Sequence, residues 1–210
     1  MSTIDHAKVW WPPNGYLSQF IIDQFPEGYR GHCVDVGASD GISVNSTYAL
    51  EKSHGWTVIS VEPNPTFHPW LVRDRAMVEK CAVGSVPQAA ATFHVHINNE
   101  ESFSSLAPKV RNDRYPTEGM SWKKIEVPVK TLEEILQRWE FSKLDALCVD
   151  VEGTEVDVLK SLDLGKWRPK VVIAEAWDEP VEIQALIGPF GYERKYMSVD
   201  NHIFVLKEEA

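Results

Sequence analysis

Three acidic segments carry residue types and spacings able to do chemistry. The first is Val34-Asp35-Val36-Gly37-Ala38-Ser39-Asp40-Gly41. Glycines at the end of a strand let the backbone turn sharply and approach a ligand closely. The segment lacks the GxGxxG spacing of a dinucleotide loop, and Asp35 and Asp40 are poor neighbours for a pyrophosphate. Carboxylates there suit a ligand bearing an ammonium or sulfonium group and hydroxyls. The second segment is Val61-Glu62-Pro63-Asn64-Pro65, where Glu62 can accept hydrogen bonds from both hydroxyls of a ribose. Together these two describe a nucleoside site without a phosphate cradle, which points to S-adenosylmethionine rather than NAD or ATP. The third is Leu147-Cys148-Val149-Asp150-Val151-Glu152-Gly153-Thr154-Glu155. Asp150 and Glu152 are two residues apart at a strand terminus, so both can enter one cleft. Repulsion between them can raise one pKa toward that of a general base, or the pair can hold a divalent cation.

Each signal has a plainer reading. Val34–Gly41 also fits a tight strand-to-helix turn with no ligand. Glu155 reads better as first-turn stabilisation of the following helix than as a site residue. His94 and His96 are two apart on an expected strand and can share a face, and His202 precedes the last strand. They are the other candidates for a base or metal ligands. With no third ligand at fixed spacing, His94 and His96 read better as surface or core residues, and so does His202, although it can approach the cleft.

The elements that position these residues alternate between strand and helix. Residues 32–37, 56–62, 144–151 and 170–176 are short, apolar and β-branched without alternation, as in central strands of a parallel sheet. In 131–141, Leu132, Ile135, Leu136 and Trp139 repeat at helical spacing behind a Thr131–Glu134 capping box. In 180–190, Ile183, Leu186, Ile187 and Phe190 repeat that spacing. The pattern predicts a three-layer α/β domain. Between 85 and 129 the helical period fades, and 90–97 alternates like an exposed strand, which predicts inserted strands or a lid. Residues 191–207 read as a hairpin, Tyr192–Met197 and His202–Lys207 around Asp200-Asn201, placing one antiparallel strand in the sheet. One domain over 1–210 is expected, with 1–30 as an N-terminal cap-helix region.

Composition narrows the classes. The chain has 210 residues with 21 basic and 31 acidic side chains, a net charge of −10. That balance argues against nonspecific nucleic-acid binding. The one basic stretch, with Lys109, Arg111, Arg114, Lys123 and Lys124, reads as a solvated loop. No run approaches the roughly 20 apolar residues of a membrane span, so no membrane insertion is expected. No secretory signal is visible. Cys33, Cys81 and Cys148 lack CxxC spacing and read as reduced core thiols of a cytoplasmic protein. Trp10-Trp11-Pro12-Pro13 suits stacking on a sugar ring or, better, a flap over the sheet edge. Eight tryptophans leave room for an oligomer patch.

Taken in order, these segments resemble the FkbM family of S-adenosylmethionine-dependent methyltransferases. The likeness runs from Gly15-Tyr16-Leu17-Ser18-Gln19 through Val34–Gly41, Asn45-Ser46-Thr47, Leu50-Glu51, Gly55-Trp56 and Val61–Pro65. It continues at Ala82-Val83, Val129-Lys130-Thr131-Leu132, Asp145 and Asp150–Glu155, and ends near Asn201-His202-Ile203-Phe204-Val205. The resemblance implies a Rossmann-like class I methyltransferase fold, a seven-stranded mostly parallel sheet whose antiparallel last strand lies between strands five and six. It implies that Asp35, Gly37, Ala38, Asp40 and Gly41 surround the methionine end of S-adenosylmethionine. Glu62, with Pro63 and Asn64 beside it, takes the ribose, and Lys80–Val83, including Ala82, flanks the adenine. Ser104-Ser105 echo a serine often found there, with Ser105 the expected contact. Family members typically methylate hydroxyl oxygens of sugars or natural products, so a carbohydrate or small-molecule acceptor is the expected partner. Asp150 and Glu152 are then the expected catalytic base, or ligands of an assisting divalent cation. Two other classes compete. One is an NAD(P)-binding oxidoreductase, opposed by the missing GxGxxG. The other is a non-catalytic S-adenosylmethionine-binding protein.

Overall fold

The computed structural model describes residues 15–43, 45–97, 104–107, 121–176, 180–198 and 201–207. Trp10-Trp11-Pro12-Pro13, Lys109, Arg111, Arg114 and Asp200, singled out above, lie outside the described residues.

The chain opens with α1 (Gly15–Asp23), β1 (His32–Val36), α2 (Tyr48–His54) and β2 (Thr57–Val61). It continues with α3 (His68–Asp74), β3 (Met77–Glu79), β4 (Ala82–Val83), β5 (Gln88–His96) and β6 (Trp122–Lys130). Next come α4 (Leu132–Arg138), β7 (Ala146–Val149), α5 (Glu155–Lys160), α6 (Leu164–Trp167) and β8 (Val171–Glu175). Last are α7 (Pro180–Ile187), β9 (Tyr192–Ser198) and β10 (Asn201–Leu206).

Seven strands form the main sheet in the order β3-β2-β1-β7-β8-β10-β9. Neighbours from β3 to β8 pair in parallel, and β10 pairs antiparallel with both β8 and β9. The antiparallel last strand therefore lies between the fifth and sixth strands, where the family resemblance put it. Strand order reverses between β1 and β7. Connections from these two strands leave in opposite directions and open a crevice at their carboxyl ends.

Strand alternation sorts the core into two layers. Val34, Val36, Ile59, Val61, Leu147, Val149 and Val172 face one apolar cluster, which α4, α5 and α7 fill with Leu132, Ile135, Leu136, Val158, Leu159, Ile183 and Ile187. Cys33, Val58, Ala146, Cys148, Val171 and Ile173 face the other, filled by Leu17, Ile21 and Leu50 of α1 and α2. The period of two sends Asp35, two residues after Cys33, into this second layer. All three cysteines are buried free thiols.

Helix α4 starts as its sequence specifies. Thr131 Oγ1 accepts the Glu134 N–H at 3.1 Å, and the Glu134 carboxylate accepts the Thr131 N–H at 2.8 Å. Helix α7 is shorter than its 180–190 periodicity. At Gly188-Pro189 the chain tightens into a 3-10 turn over Gly188–Phe190, leaving Phe190 exposed. A proline there has no N–H to continue the α ladder.

In the 85–129 segment, where the sequence predicts inserted strands or a lid, β5 and most of β6 lie, and they join β4 in a second sheet of order β4-β6-β5. It closes over Ala82, Phe93, Val95, Val127 and Val129. His94 and His96 alternate with Phe93 and Val95, so they share the opposite face of β5. His96 is buried, against the expectation of an exposed strand, with its ring 5.2 Å from that of Trp122.

Candidate functional site

The loop after β1 is bent by three left-handed residues: Gly37 (φ 86°), Ser39 (φ 52°) and Gly41 (φ 79°). Glycine adopts such φ freely, but Ser39 does not, and its conformation persists only where the surroundings over-determine it. Here the surroundings are specific. Gly37 and Ala38 donate their N–H groups to the Val61 carbonyl at 2.9 and 3.0 Å. The Asp40 carboxylate accepts the N–H groups of Ile42 and Ser43 at 2.9 and 2.8 Å, folding the turn onto itself. Asp35 is 5% exposed, and its Oδ2 accepts from Asn45 Nδ2 at 2.9 Å and Thr47 Oγ1 at 2.8 Å. Its carboxylate thus lies among the supports of the loop.

Glu62 follows β2 directly and is 5% exposed. Its two oxygens accept the Ser39 N–H at 2.9 Å and the Asn64 N–H at 2.7 Å. Burial pushes its carboxyl up to about 7, against those two hydrogen bonds, and the charges of Asp35 and Asp150 push the same way. Pro63 is half-buried, Asn64 is buried, and the His68 ring lies 2.9 Å from the Glu62 carbonyl. The first and second acidic segments are therefore joined at Ser39–Glu62.

The third segment meets the first through backbone. Asp150 donates its N–H to the Val36 carbonyl at 2.9 Å, and its own carbonyl fills the space that a Gly37 side chain would need. Glu152 (φ 62°) and Gly153 (φ 115°) give this loop its own left-handed bend. The Asp150 side chain is exposed, and carboxylate oxygens of Asp150, Glu152 and Glu175 all lie within 4.8 Å of one another. Like charges this close repel one another.

Glu155 does more than stabilise a helix turn. It is buried, and Oε1 reaches back to accept the N–H groups of Val151 and Gly153 at 3.3 and 3.0 Å. It thereby braces the loop carrying Asp150 and Glu152. Desolvation raises its pKa, and those hydrogen bonds oppose the rise.

Sequence reasoning passed over Glu175 and Arg75. Glu175 ends β8 as Asp150 follows β7, so the strand-end logic applied to one would have found the other. Arg75 is buried beneath the first loop and bonds Gly41, Asn45, Thr47 and Glu51. Ala82 is buried in the core of the small sheet. Ser105 is buried at its margin, pairing with His94 through both backbone groups and accepting the Ala107 N–H on its hydroxyl. His202 is buried too, with Nε2 3.1 Å from the Ala176 carbonyl.

A cavity of about 470 Å³ lined by Phe25, Tyr29, Arg30, Lys52, His54 and Trp56 opens near the starts of β1 and β2. That is the end opposite the acidic rim, whereas open α/β sheets bind ligands at carboxyl ends.

Strand order, the antiparallel insertion of β10 and the β1/β7 crevice define a class I methyltransferase fold. Residues 35–207 match the family described as the methyltransferase FkbM domain, and the chain belongs to that family. A curated relative, methyltransferase sdnD of Sordaria araneosa, is 24% identical over 217 residues, covering 84% of this chain and 82% of its own length. The solved methyltransferase FkbM of Methylobacillus flagellatus KT superposes with a TM-score of 0.53 at 15% identity. That match covers 84% of this chain but 43% of the solved one, so the chain spans less than half of that relative's length. No helix among the described residues is long and apolar enough to cross a membrane.

Proposed function

We propose that this methyltransferase moves a methyl group from S-adenosylmethionine to a hydroxyl oxygen of a sugar, glycan or small natural product. The observation that carries the reading is the convergence of Asp150, Glu152 and Glu175 at the rim that also holds Glu62 and the Gly37–Gly41 turn.

The residues present fit the cofactor. The donor set is rich in carboxylates, matching a sulfonium, an ammonium and two ribose hydroxyls, and the left-handed Gly37–Gly41 turn suits close approach of a ligand to backbone. Glu62 would hold the ribose, exchanging its bonds to Ser39 and Asn64 for bonds to hydroxyls or sharing them. Gly37, Ala38, Asp40 and Gly41 would line the methionine end. When bound, the cofactor supplies an electrophilic methyl carbon on a sulfonium.

The protein's own work is to orient the acceptor and take its proton. A hydroxyl has a high pKa, and Asp150 or Glu152 is placed to receive the proton as the oxygen becomes nucleophilic. A divalent cation held by the same oxygens would instead lower the pKa of the hydroxyl directly.

The test is S-adenosylhomocysteine release across a panel of sugars, glycans and hydroxylated metabolites, run with and without EDTA, beside calorimetry with S-adenosylhomocysteine and NAD. Turnover insensitive to EDTA supports a carboxylate base, and its loss supports the cation. NAD binding without S-adenosylhomocysteine binding overturns the reading, and cofactor binding with no turnover anywhere leaves a binding protein.

A further inference from the structure

Arg75 follows α3 in the charged run Arg73-Asp74-Arg75, yet its side chain is fully buried at 0% exposure. Its guanidinium is used from every side. Nε donates to Glu51 Oε2 at 2.6 Å, and Nη1 donates to the Gly41 carbonyl at 2.9 Å and Asn45 Oδ1 at 3.1 Å. Nη2 donates to Thr47 Oγ1 at 2.7 Å and lies 4.0 Å from Asp35 Oδ2.

Stability alone explains this arrangement poorly. Burying a guanidinium costs more free energy than packing an apolar side chain of similar volume, and buried ion pairs are weak evidence for stabilisation. The partners suggest what the cost supports. Gly41 closes the left-handed turn, and its N–H donates to the Ala38 carbonyl at 2.9 Å. Asn45 donates to the same Ala38 carbonyl at 3.2 Å and to Asp35 at 2.9 Å. Asn45 Oδ1 also accepts the N–H groups of Thr47 and Tyr48, both at 2.9 Å, where α2 begins. Arg75 thus holds the far end of a loop whose near end is held by Val61 and Glu62. A planar fork with five donors reaches a carbonyl, an amide, a hydroxyl and a carboxylate at once, which an ammonium cannot.

We propose that Arg75 is the positioning residue of the cofactor loop, fixing Gly37–Gly41 in the shape that binds S-adenosylmethionine. It touches no reacting atom and acts through Gly41 and Asn45. The proposal rests on the cofactor reading of the preceding section, but its effect on loop order does not.

The experiment compares the wild type with Arg75→Met, Arg75→Lys and a control, Leu136→Ala, buried in the opposite helix layer. Each is measured by S-adenosylhomocysteine calorimetry, thermal melting and amide exchange at Gly41, Ile42 and Ser43. Arg75→Met should weaken S-adenosylhomocysteine by about tenfold or more and speed exchange at those amides. Arg75→Lys, which keeps the charge, should fall between. Leu136→Ala should lower the melting temperature while leaving both loop readouts unchanged. Wild-type affinity and exchange in a folded Arg75 variant overturn the proposal, as does an equal loss of affinity in Leu136→Ala. If the wild type binds no S-adenosylhomocysteine, the cofactor reading fails, and the exchange comparison still decides whether Arg75 orders the loop.

Discussion

Asp150 and Gly37 share one small space: the carbonyl oxygen of the first stands where a β-carbon on the second would lie. The Asp150 N–H to the Val36 carbonyl, at 2.9 Å, closes the same contact from the other side. The loops leaving β1 and β7 are therefore welded at their base and diverge above it, so the crevice has a rigid floor.

Gly37→Ala should be among the most disruptive single-methyl changes in the chain. The added methyl meets backbone, which cannot swing aside, and φ of 86° disfavours any L side chain. A loss of about 3 kcal/mol or more is expected by denaturant titration. A loss under about 1 kcal/mol would mean that the two loops separate readily.

Asp150→Asn and Glu152→Gln should each fold normally and lower kcat by about a hundredfold or more. Each removes a proton acceptor while keeping shape. S-adenosylhomocysteine release is the assay, and far-ultraviolet circular dichroism checks the fold. Glu175→Gln should act less strongly, by altering the charge its neighbours feel. Full turnover in both Asp150→Asn and Glu152→Gln would remove the pair as the base.

Glu62 makes stability depend on pH with a definite sign. Its folded pKa of about 7 exceeds the ordinary 4.5, so the folded state holds this proton more tightly. The associated stability is fully present below about pH 4.5 and lost as pH rises through about 7, a change of about 3 kcal/mol. Glu62→Gln should flatten that slope in urea titrations between those limits. Hydroxyl donors favour the ionised carboxylate, so S-adenosylhomocysteine should bind more tightly at pH 8 than at pH 6, and Glu62→Gln should abolish the difference.

Cys33, Cys81 and Cys148 should all resist a thiol-specific disulfide reagent near pH 8 in the folded protein and react together on unfolding. Burial pushes Cys81 up to about 12, while a hydrogen bond with Cys33, with burial behind it, raises Cys148 well above the normal range. Fast labelling of any one under native conditions would show that its layer opens locally.

Much of this arrangement is written in short stretches of chain. Residues 144–151 and 170–176 read as buried strands because each is a continuous apolar, β-branched run, and β7 and β8 fall inside them. The Thr131–Glu134 box and the hairpin around 200 depend on neighbours a few residues apart, so they too are visible locally. Arg75 is the opposite case. Between Asp74 and Ala76 it reads as a solvated charge, and its partners Asp35, Gly41, Asn45 and Glu51 come from earlier elements brought together only by the sheet. Glu155 misleads for a related reason. An acid in a first turn suits the helix dipole, and only the backward bend at Glu152-Gly153 reveals that its oxygen serves the loop before it. Of the small sheet, the alternation over 90–97 is local and visible, whereas β4 has two residues and its pairing with β6 spans the intervening segment.

The place of β10 has a consequence for how the protein is made. During synthesis β1, β2, β3, β7 and β8 can assemble as soon as they emerge, but the outer edge of β8 has no partner until Asn201–Leu206 arrive. Strand β9, though made earlier, pairs with the main sheet only through β10. A nascent chain halted before β10 therefore presents an open apolar strand edge, a template for mispairing with a neighbouring chain. Strand β10, made after β8 and β9, seals that edge and buries Ile203, Phe204 and Val205 in the core.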